Sequence, residues 1–211
     1  MSKLYLIGLT GNIATGKSTV ARLLQEHGAH VIDADREAHA TLTPGQPTCS
    51  QVVKSFGEGI LTPAGQIDRA KLGAIVFRDA AALRRLEELV HPAAIERIKC
   101  KLKALEAKVN SENAGKQIVV VEAIKLLESG LAEICDSVWV VTCAREQQIQ
   151  RLQATRALTQ EEAILRIDAQ PPQAEKIARA DAVIDNSDAL EETRAQVHRH
   201  LARIRSSWQR K

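Results

Sequence analysis

An almost wholly apolar run, Leu4 to Leu9, leads into Gly11-Asn12-Ile13-Ala14-Thr15-Gly16-Lys17-Ser18, and helical spacing resumes at Val20, Leu23, Leu24 and His27. Every fixed position of G-x-x-x-x-G-K-[ST] is filled. Glycines let consecutive backbone amides curl inward around phosphate oxygens, and the following helix adds the positive end of its dipole. Lys17 then reaches toward the β- and γ-phosphates, the Ser18 hydroxyl can ligate Mg²⁺, and Thr19 can touch the α-phosphate. Average residue frequencies would produce the bare pattern by chance in roughly one chain in a hundred of this size. The strand before it and the amphipathic helix after it make chance a weaker explanation still. The motif therefore predicts a β-loop-α unit whose loop, residues 12–19, cradles the phosphates of ATP.

The rest of the chain extends this unit into an α/β fold. Gly28 closes the first helix, and a second strand, His30 to Ala34, runs into Asp33-Ala34-Asp35. Ile118–Val121 and Ser137–Thr142 read as further buried strands, and Ala182–Ile184 as a short last one. Between Arg36 and Asn110 turn signals alternate with helical spacing. One pattern there, Ile95, Ile98, Leu102, Leu105 and Val109, marks a helix face. Thr159-Gln160-Glu161-Glu162 fits a capping box, and Pro171-Pro172 ends the helix it opens. Leu190, Val197, Leu201 and Ile204 form the stripe of a docking C-terminal helix. The expected architecture is a three-layer P-loop NTPase fold with a five-stranded parallel sheet. Its core would comprise residues 1–35, 116–144 and 180–211, with a helical substrate-binding insertion at 36–115 and a lid at 145–179.

Composition narrows the function. Aromatics make up 2% of the 211 residues, too few for a platform on which single-strand bases stack. The net charge of +3 suits a small anionic substrate and does not announce a nucleic-acid partner. Four cysteines at 49, 100, 135 and 143 show no C-x-x-C spacing and read as reduced thiols. Met1-Ser2-Lys3 runs straight into a strand, leaving no room for a leader, and no apolar run approaches membrane length, so the expected location is cytoplasmic with no membrane partner. Oligomeric state is not legible.

The acidic residues separate the kinds of nucleotide protein. N-K-x-D and D-x-x-G, which a signalling GTPase needs, are both missing. Glu122, ending the Ile118–Val121 strand, is either a metal-side carboxylate or a solvated strand-end acid. Asp33 and Asp35 stand where a parallel sheet opens its ligand crevice. Two acids beside a phosphate loop make sense if one takes a proton from an attacking hydroxyl and the other holds metal or orients it. On a continuous strand, 33 and 35 would share a face. The competing structural role has Asp35 capping a helix that begins at Arg36. Arg145, Arg151, Arg156, Arg166, Lys176 and Arg179 crowd the 145–179 segment. A basic lid would neutralise a transferring phosphoryl group, whereas a solvated helix face would account for most of these charges individually. Arg151 and Arg156 are the candidates for contact.

Taken in order, the strings Ile7-Gly8-Leu9-Thr10 with the phosphate loop, Val31-Ile32-Asp33-Ala34-Asp35, Phe56-Gly57, Ile67-Asp68-Arg69, His91-Pro92, Gln148-x-x-Arg151-Leu152, Arg166-Ile167-x-x-Gln170 and Ala180-Asp181-x-Val183-Ile184-Asp185-Asn186 resemble the dephospho-coenzyme A kinase family over nearly the whole length. The resemblance implies ATP-dependent phosphorylation of the ribose 3′-hydroxyl of dephospho-coenzyme A, the last step of coenzyme A synthesis. It makes Asp35 the proton acceptor with Asp33 beside it. Arg69 and His91 line the coenzyme side, and Asp185 and Asn186 lie near adenine. His91-Pro92 also reads as a helix start. Two departures stand out. Glu122-Ala123-Ile124-Lys125-Leu126-Leu127-Glu128 lacks the family's proline and gains Lys125, a candidate phosphate contact. Thr155 replaces the expected lid arginine, so that Arg156 would act from a shifted place. The rival readings are a nucleoside monophosphate, shikimate or gluconate kinase, and a P-loop regulator that binds nucleotide without transferring phosphate.

Overall fold

The computed structural model describes residues 3–209. Its sheet has five strands, β1 (Leu4–Thr10), β2 (His30–Asp33), β3 (Gln117–Glu122), β4 (Ser137–Thr142) and β5 (Ala182–Asp185), in the order β2-β3-β1-β4-β5 and all parallel. Strand β1 is central and in register with β3 from Leu4 opposite Gln117 to Leu9 opposite Glu122. It is also in register with β4 from Ile7 opposite Ser137 to Thr10 opposite Val140. This position explains the unbroken apolar runs. A strand covered on both faces has no polar side to alternate with, and all six residues of β4 and the four central residues of β3 are buried.

The chain divides into two compact units, residues 1–32 with 109–211, and residues 33–108. In the first, α1 (Lys17–Glu26) and α9 (Leu190–Gln209) lay their apolar stripes on one face of the sheet. Val20, Leu23 and Leu24 of α1 meet Val197 and Leu201 of α9 over Ile7, Leu9, Trp139 and Val141. Leu190 begins α9 but is 37% exposed, so the stripe that docks starts one turn or more later than the sequence suggests. Helices α6 (Arg145–Arg156), α7 (Gln160–Asp168) and α8 (Gln173–Ile177) form the 145–179 segment. Leu152, Ala163 and Ile167 bury the α6–α7 contact, and the expected capping box at Thr159 and Glu162 is present. Among the described residues no helix is long and apolar enough to cross a membrane.

The second unit is helical, as the missing strand signals foretold. It contains α2 (Ala34–Thr41), α3 (Pro47–Phe56), α4 (Arg69–Val76) and most of α5 (Ala80–Ser111) around Val52, Ile60, Leu72, Val76 and Val90. Helix α5 corrects one expectation, because it runs through Pro92 rather than starting there. A proline removes one backbone bond and crowds the preceding turn. Buried Val90 on one side and buried Ala94 and Ile98 on the other hold both halves in place. Ala94, Ile98 and Val109 are the buried positions of the helix face, with Ile95, Leu102 and Leu105 half-buried.

Helix α2 is clasped to α5 by charge. Glu37, whose side chain is 6% exposed, accepts from Arg97 Nε at 3.3 Å and from Lys101 Nζ. Arg97 and Lys101 are four residues apart and so share a face of α5. Both cations are far more exposed than the carboxylate, which makes the pair asymmetric. Replacing both by alanine strands a buried charge and is expected to lower stability by about 3 kcal/mol. Glu37→Gln leaves two cations that water can reach, and should cost less. Urea unfolding of the two variants measures the difference.

Candidate active site

The loop after β1 has the shape that its residue types demand. Gly16 sits at φ +91°, a left-handed conformation, and a side chain there would meet Asn186 Nδ2 at 1.9 Å. A Cβ on Gly11 would lie 2.5 Å from the Val141 carbonyl oxygen and 2.8 Å from Thr15 Oγ1. Ala14 also adopts positive φ, +59°. Thr15 Oγ1 donates to the Asn12 carbonyl at 2.9 Å and closes the turn. Helix α1 then begins at Lys17 without any side-chain cap, while the Thr19 amide donates to the Gly16 carbonyl at 2.9 Å, which leaves the amides of Lys17 and Ser18 outside the helical bonding pattern.

Much of what shapes the loop comes from the 145–179 segment and the turn after β5. Gln148 Nε2 donates to the Ile13 carbonyl at 2.7 Å, and the Ile13 amide donates to Gln170 Oε1 at 2.6 Å. Asn12 Nδ2 donates to the Pro171 carbonyl at 3.1 Å. Arg151 reaches the carbonyls of Ala14 and Thr15 at 3.3 and 3.1 Å through Nη1, and that of Asn186 at 2.8 Å through Nη2. Asn186 Nδ2 donates to the Thr15 carbonyl at 2.9 Å, while Thr193 Oγ1 donates to Asn186 Oδ1 at 3.0 Å. Gln148 and Gln170 were visible in the sequence only as letters within longer strings. Nothing in local spacing says that a glutamine will hold a loop more than 130 residues away. Cys143, at the end of β4, lies behind the loop with Sγ 3.8 Å from the Ala14 carbonyl, and burial pushes its thiol pKa up.

One cleft of about 640 Å³ collects the loop residues Asn12, Ile13, Ala14, Thr15, Gly16, Lys17, Ser18 and Thr19 with Glu122, Arg151, Arg156 and Asn186. Arg22, Thr155 and Asp188 also line it, and the sequence reading did not single them out as site residues. Lys17 Nζ donates to Glu122 Oε1 at 2.6 Å, with both side chains largely buried, 13% and 15% exposed. Glu122 is thus no solvated strand-end acid. Register accounts for the meeting: Leu9 pairs with Glu122, so β3 ends beside the point where the loop begins. Arg156 lines the cleft from the last residue of α6, and Ala157 at φ +50° ends that helix. Thr155 turns its hydroxyl back to the Arg151 carbonyl at 2.6 Å.

Asp185 does not line the cleft; its Oδ1 accepts from the amide and hydroxyl of Ser187 at 3.0 and 2.6 Å. Lys125 is exposed in the turn after β3, also outside the cleft lining. Lys176 departs from the solvated face expected for most of the segment's charges. Only 3% exposed, it donates to the Ile124 carbonyl at 2.7 Å and pairs with Glu128 at 3.5 Å. Arg145 pairs with Asp168 at 2.7 Å, linking α6 to α7.

In the helical unit, β2 stops at Asp33 and α2 starts at Ala34. Strand alternation therefore does not put Asp33 and Asp35 on one side. The cap is Asp33, whose Oδ1 accepts from the Arg36 amide at 3.0 Å, and Asp35 is an exposed residue in the first helical turn. The chain turns at Asp33 because a carboxylate that satisfies an orphan amide favours helix entry over one more strand residue. Arg69, the first residue of α4, and His91 of α5 line one hollow of about 290 Å³ whose floor includes Leu42, Leu72 and Val76. Phe77, 84% exposed, borders it.

Comparison with known proteins follows the same lines. The dephospho-CoA kinase family model matches residues 5–192. The chain is 45% identical over 197 residues to a dephospho-CoA kinase of Carboxydothermus hydrogenoformans, covering 93% of each chain. It is 48% identical over 191 residues to that of Geobacillus kaustophilus, covering 90% of this chain and 92% of the relative. Among solved structures, dephospho-CoA kinase from Campylobacter jejuni superposes with a TM-score of 0.66 at 28% identity, covering 97% and 98% of the two chains. A shikimate kinase from Acinetobacter baumannii, TM-score 0.51 at 17% identity over 97% and 94%, shares the fold alone.

Proposed function

The chain belongs to the dephospho-CoA kinase family and catalyses the final step of coenzyme A synthesis, and on that premise we propose how its residues divide the work. ATP lies with its phosphates in the 12–19 loop. The 3′-hydroxyl of dephospho-CoA attacks the γ-phosphorus in line, the bond to the ADP oxygen breaks, and Asp35 accepts the hydroxyl proton. Such transfers are accelerated chiefly by positioning and by fixed charge. Lys17 and Arg156 supply that charge from the cleft. Arg151 is bonded to three carbonyls and holds the loop in its binding shape; it completes the cleft wall as it does so. Asn186 frames the nucleotide end of the cleft, with Asp185 ordering the turn that carries it.

The observation that carries this division is the Lys17–Glu122 pair. It holds the loop ammonium at the wall of the cleft before any phosphate arrives. The same cleft suits Mg²⁺. Ser18 and Glu122 offer hard oxygen donors, and Mg²⁺ accompanying a nucleotide commonly takes only one or two protein ligands. Those two residues would hold it, and its charge would neutralise the β- and γ-phosphate oxygens.

For the acceptor, we assign residues 36–115 as the coenzyme-binding segment. Arg69 beside the apolar hollow fits a substrate with both phosphate and aliphatic parts, and His91 lines the same wall. Lys125, exposed after β3, remains a phosphate contact in this reading. The four free thiols suit a reducing cytoplasm. A panel of acceptors offered with Mg-ATP tests the assignment through ADP release. Release that depends on dephospho-CoA is the expected result. Equal release with shikimate, gluconate or a nucleoside monophosphate, or ATP binding without any turnover, would overturn it.

A further inference from the structure

At the amino-terminal edge of the sheet, opposite the phosphate cleft, the first unit holds a second cavity. It measures about 310 Å³ and is lined by His27, Gly28, Lys116, Gln117, Arg205 and Trp208. Gln117 opens β3 and Glu122 ends it, so a strand of six residues, about 17 Å, separates this cavity from the catalytic cleft. Helix α1 spans the same interval, from Lys17 to the His27 cap.

The lining is cationic by construction. Arg205 Nη2 donates to the His27 carbonyl at 2.9 Å, and Lys116 Nζ donates to the Trp208 carbonyl. Both charges are thus anchored by neutral oxygens, which orient them without cancelling them. A guanidinium has five N–H donors and an ammonium three, so each keeps donors beyond these bonds. His27 Nε2 is shut off from solvent and has no hydrogen-bond partner. Burial chiefly, and then Arg205, His198 and Arg194, lower the His27 pKa against the opposing effect of Glu26. Arg194 itself pairs with Glu26 at 2.6 Å. Lys116 also lies over the Trp208 ring, 5.0 Å from its centroid, while Tyr5 packs tilted against that ring at 5.6 Å. With Lys116 and Tyr5 packed on it, the indole is no free stacking platform for a base. The site is built for charge.

We propose that this cavity is an accessory binding site for a small phosphate-bearing anion, held by Lys116 and Arg205 and separate from the catalytic cleft. An arriving anion draws Lys116 toward itself and changes the environment of Trp208, which gives a local optical signal.

Inorganic pyrophosphate is the probe, titrated calorimetrically into the full chain with indole emission followed in parallel. Because the catalytic loop also binds phosphates, the decisive protein carries Lys17→Ala. It is expected to retain one saturable event accompanied by an emission change. Adding Lys116→Gln and Arg205→Gln should weaken that event roughly tenfold or more, since two charge-assisted contacts are lost. The charge-keeping pair Lys116→Arg and Arg205→Lys should restore it, which separates loss of charge from loss of fold. Absence of any event in Lys17→Ala overturns the proposal. So does an event that survives neutralisation of both cations, or one that the charge-keeping pair fails to restore.

Discussion

Lys17→Met is expected to lower kcat/KM for ATP by about a hundredfold to a thousandfold, the usual cost of removing one charge-stabilising donor from a site closed to water. Two effects add in this chain. The cleft loses one of its fixed cations, and Glu122 loses the ammonium that stands 2.6 Å from it. The carboxylate is only 15% exposed, so it is left without compensation beside incoming phosphates. Without Mg²⁺, the double variant Lys17→Met/Glu122→Gln removes that repulsion and should bind ATP more tightly than Lys17→Met alone, while turnover with Mg-ATP stays low. Steady-state kinetics with nucleotide binding by calorimetry separates the two parts. If Lys17→Met turns over within threefold of the parent chain, the loop is not the phosphate site and the whole mechanism falls.

Asp35→Asn should leave the KM for ATP nearly unchanged and reduce kcat by about a hundredfold to ten-thousandfold, the range associated with loss of a general base. Asp33 supplies the internal control. Its structural role is the cap on α2, accepting from the Arg36 amide, and asparagine caps as well as aspartate. Asp33→Asn should therefore keep both fold and most of kcat, if its contribution is to set the helix that carries Asp35. Asp33→Ala loses the cap and is expected to cost about 1 kcal/mol of stability. Equal kcat losses in Asp33→Asn and Asp35→Asn would show both carboxylates acting chemically. Normal turnover in Asp35→Asn would remove Asp35 from the reaction.

The two aspartates also show where reading along the chain reaches its limit. The strand, the turn and the acids were legible, but whether strand continued to Asp35 was not. That depended on one side chain finding one amide. Pro92 is a similar case. Local rules place a helix boundary there, and buried Val90, Ala94 and Ile98 override them with packing that no local pattern displays.

What the amino-acid sequence determined by itself is whatever rests on short-range geometry. The phosphate loop, the unbroken apolar strands beside it, the capping box at Thr159 and the helical character of the middle segment all follow from residues within a few positions of one another. The tertiary structure alone decided which distant groups meet. It set Glu122 against Lys17, Gln148 and Gln170 on the two sides of the Ile13 peptide, and Lys176 beneath the turn after β3. Those contacts join residues 52 to 157 positions apart. They form because packing the strands and helices leaves buried polar groups that must find partners, and the folded chain offers only particular ones.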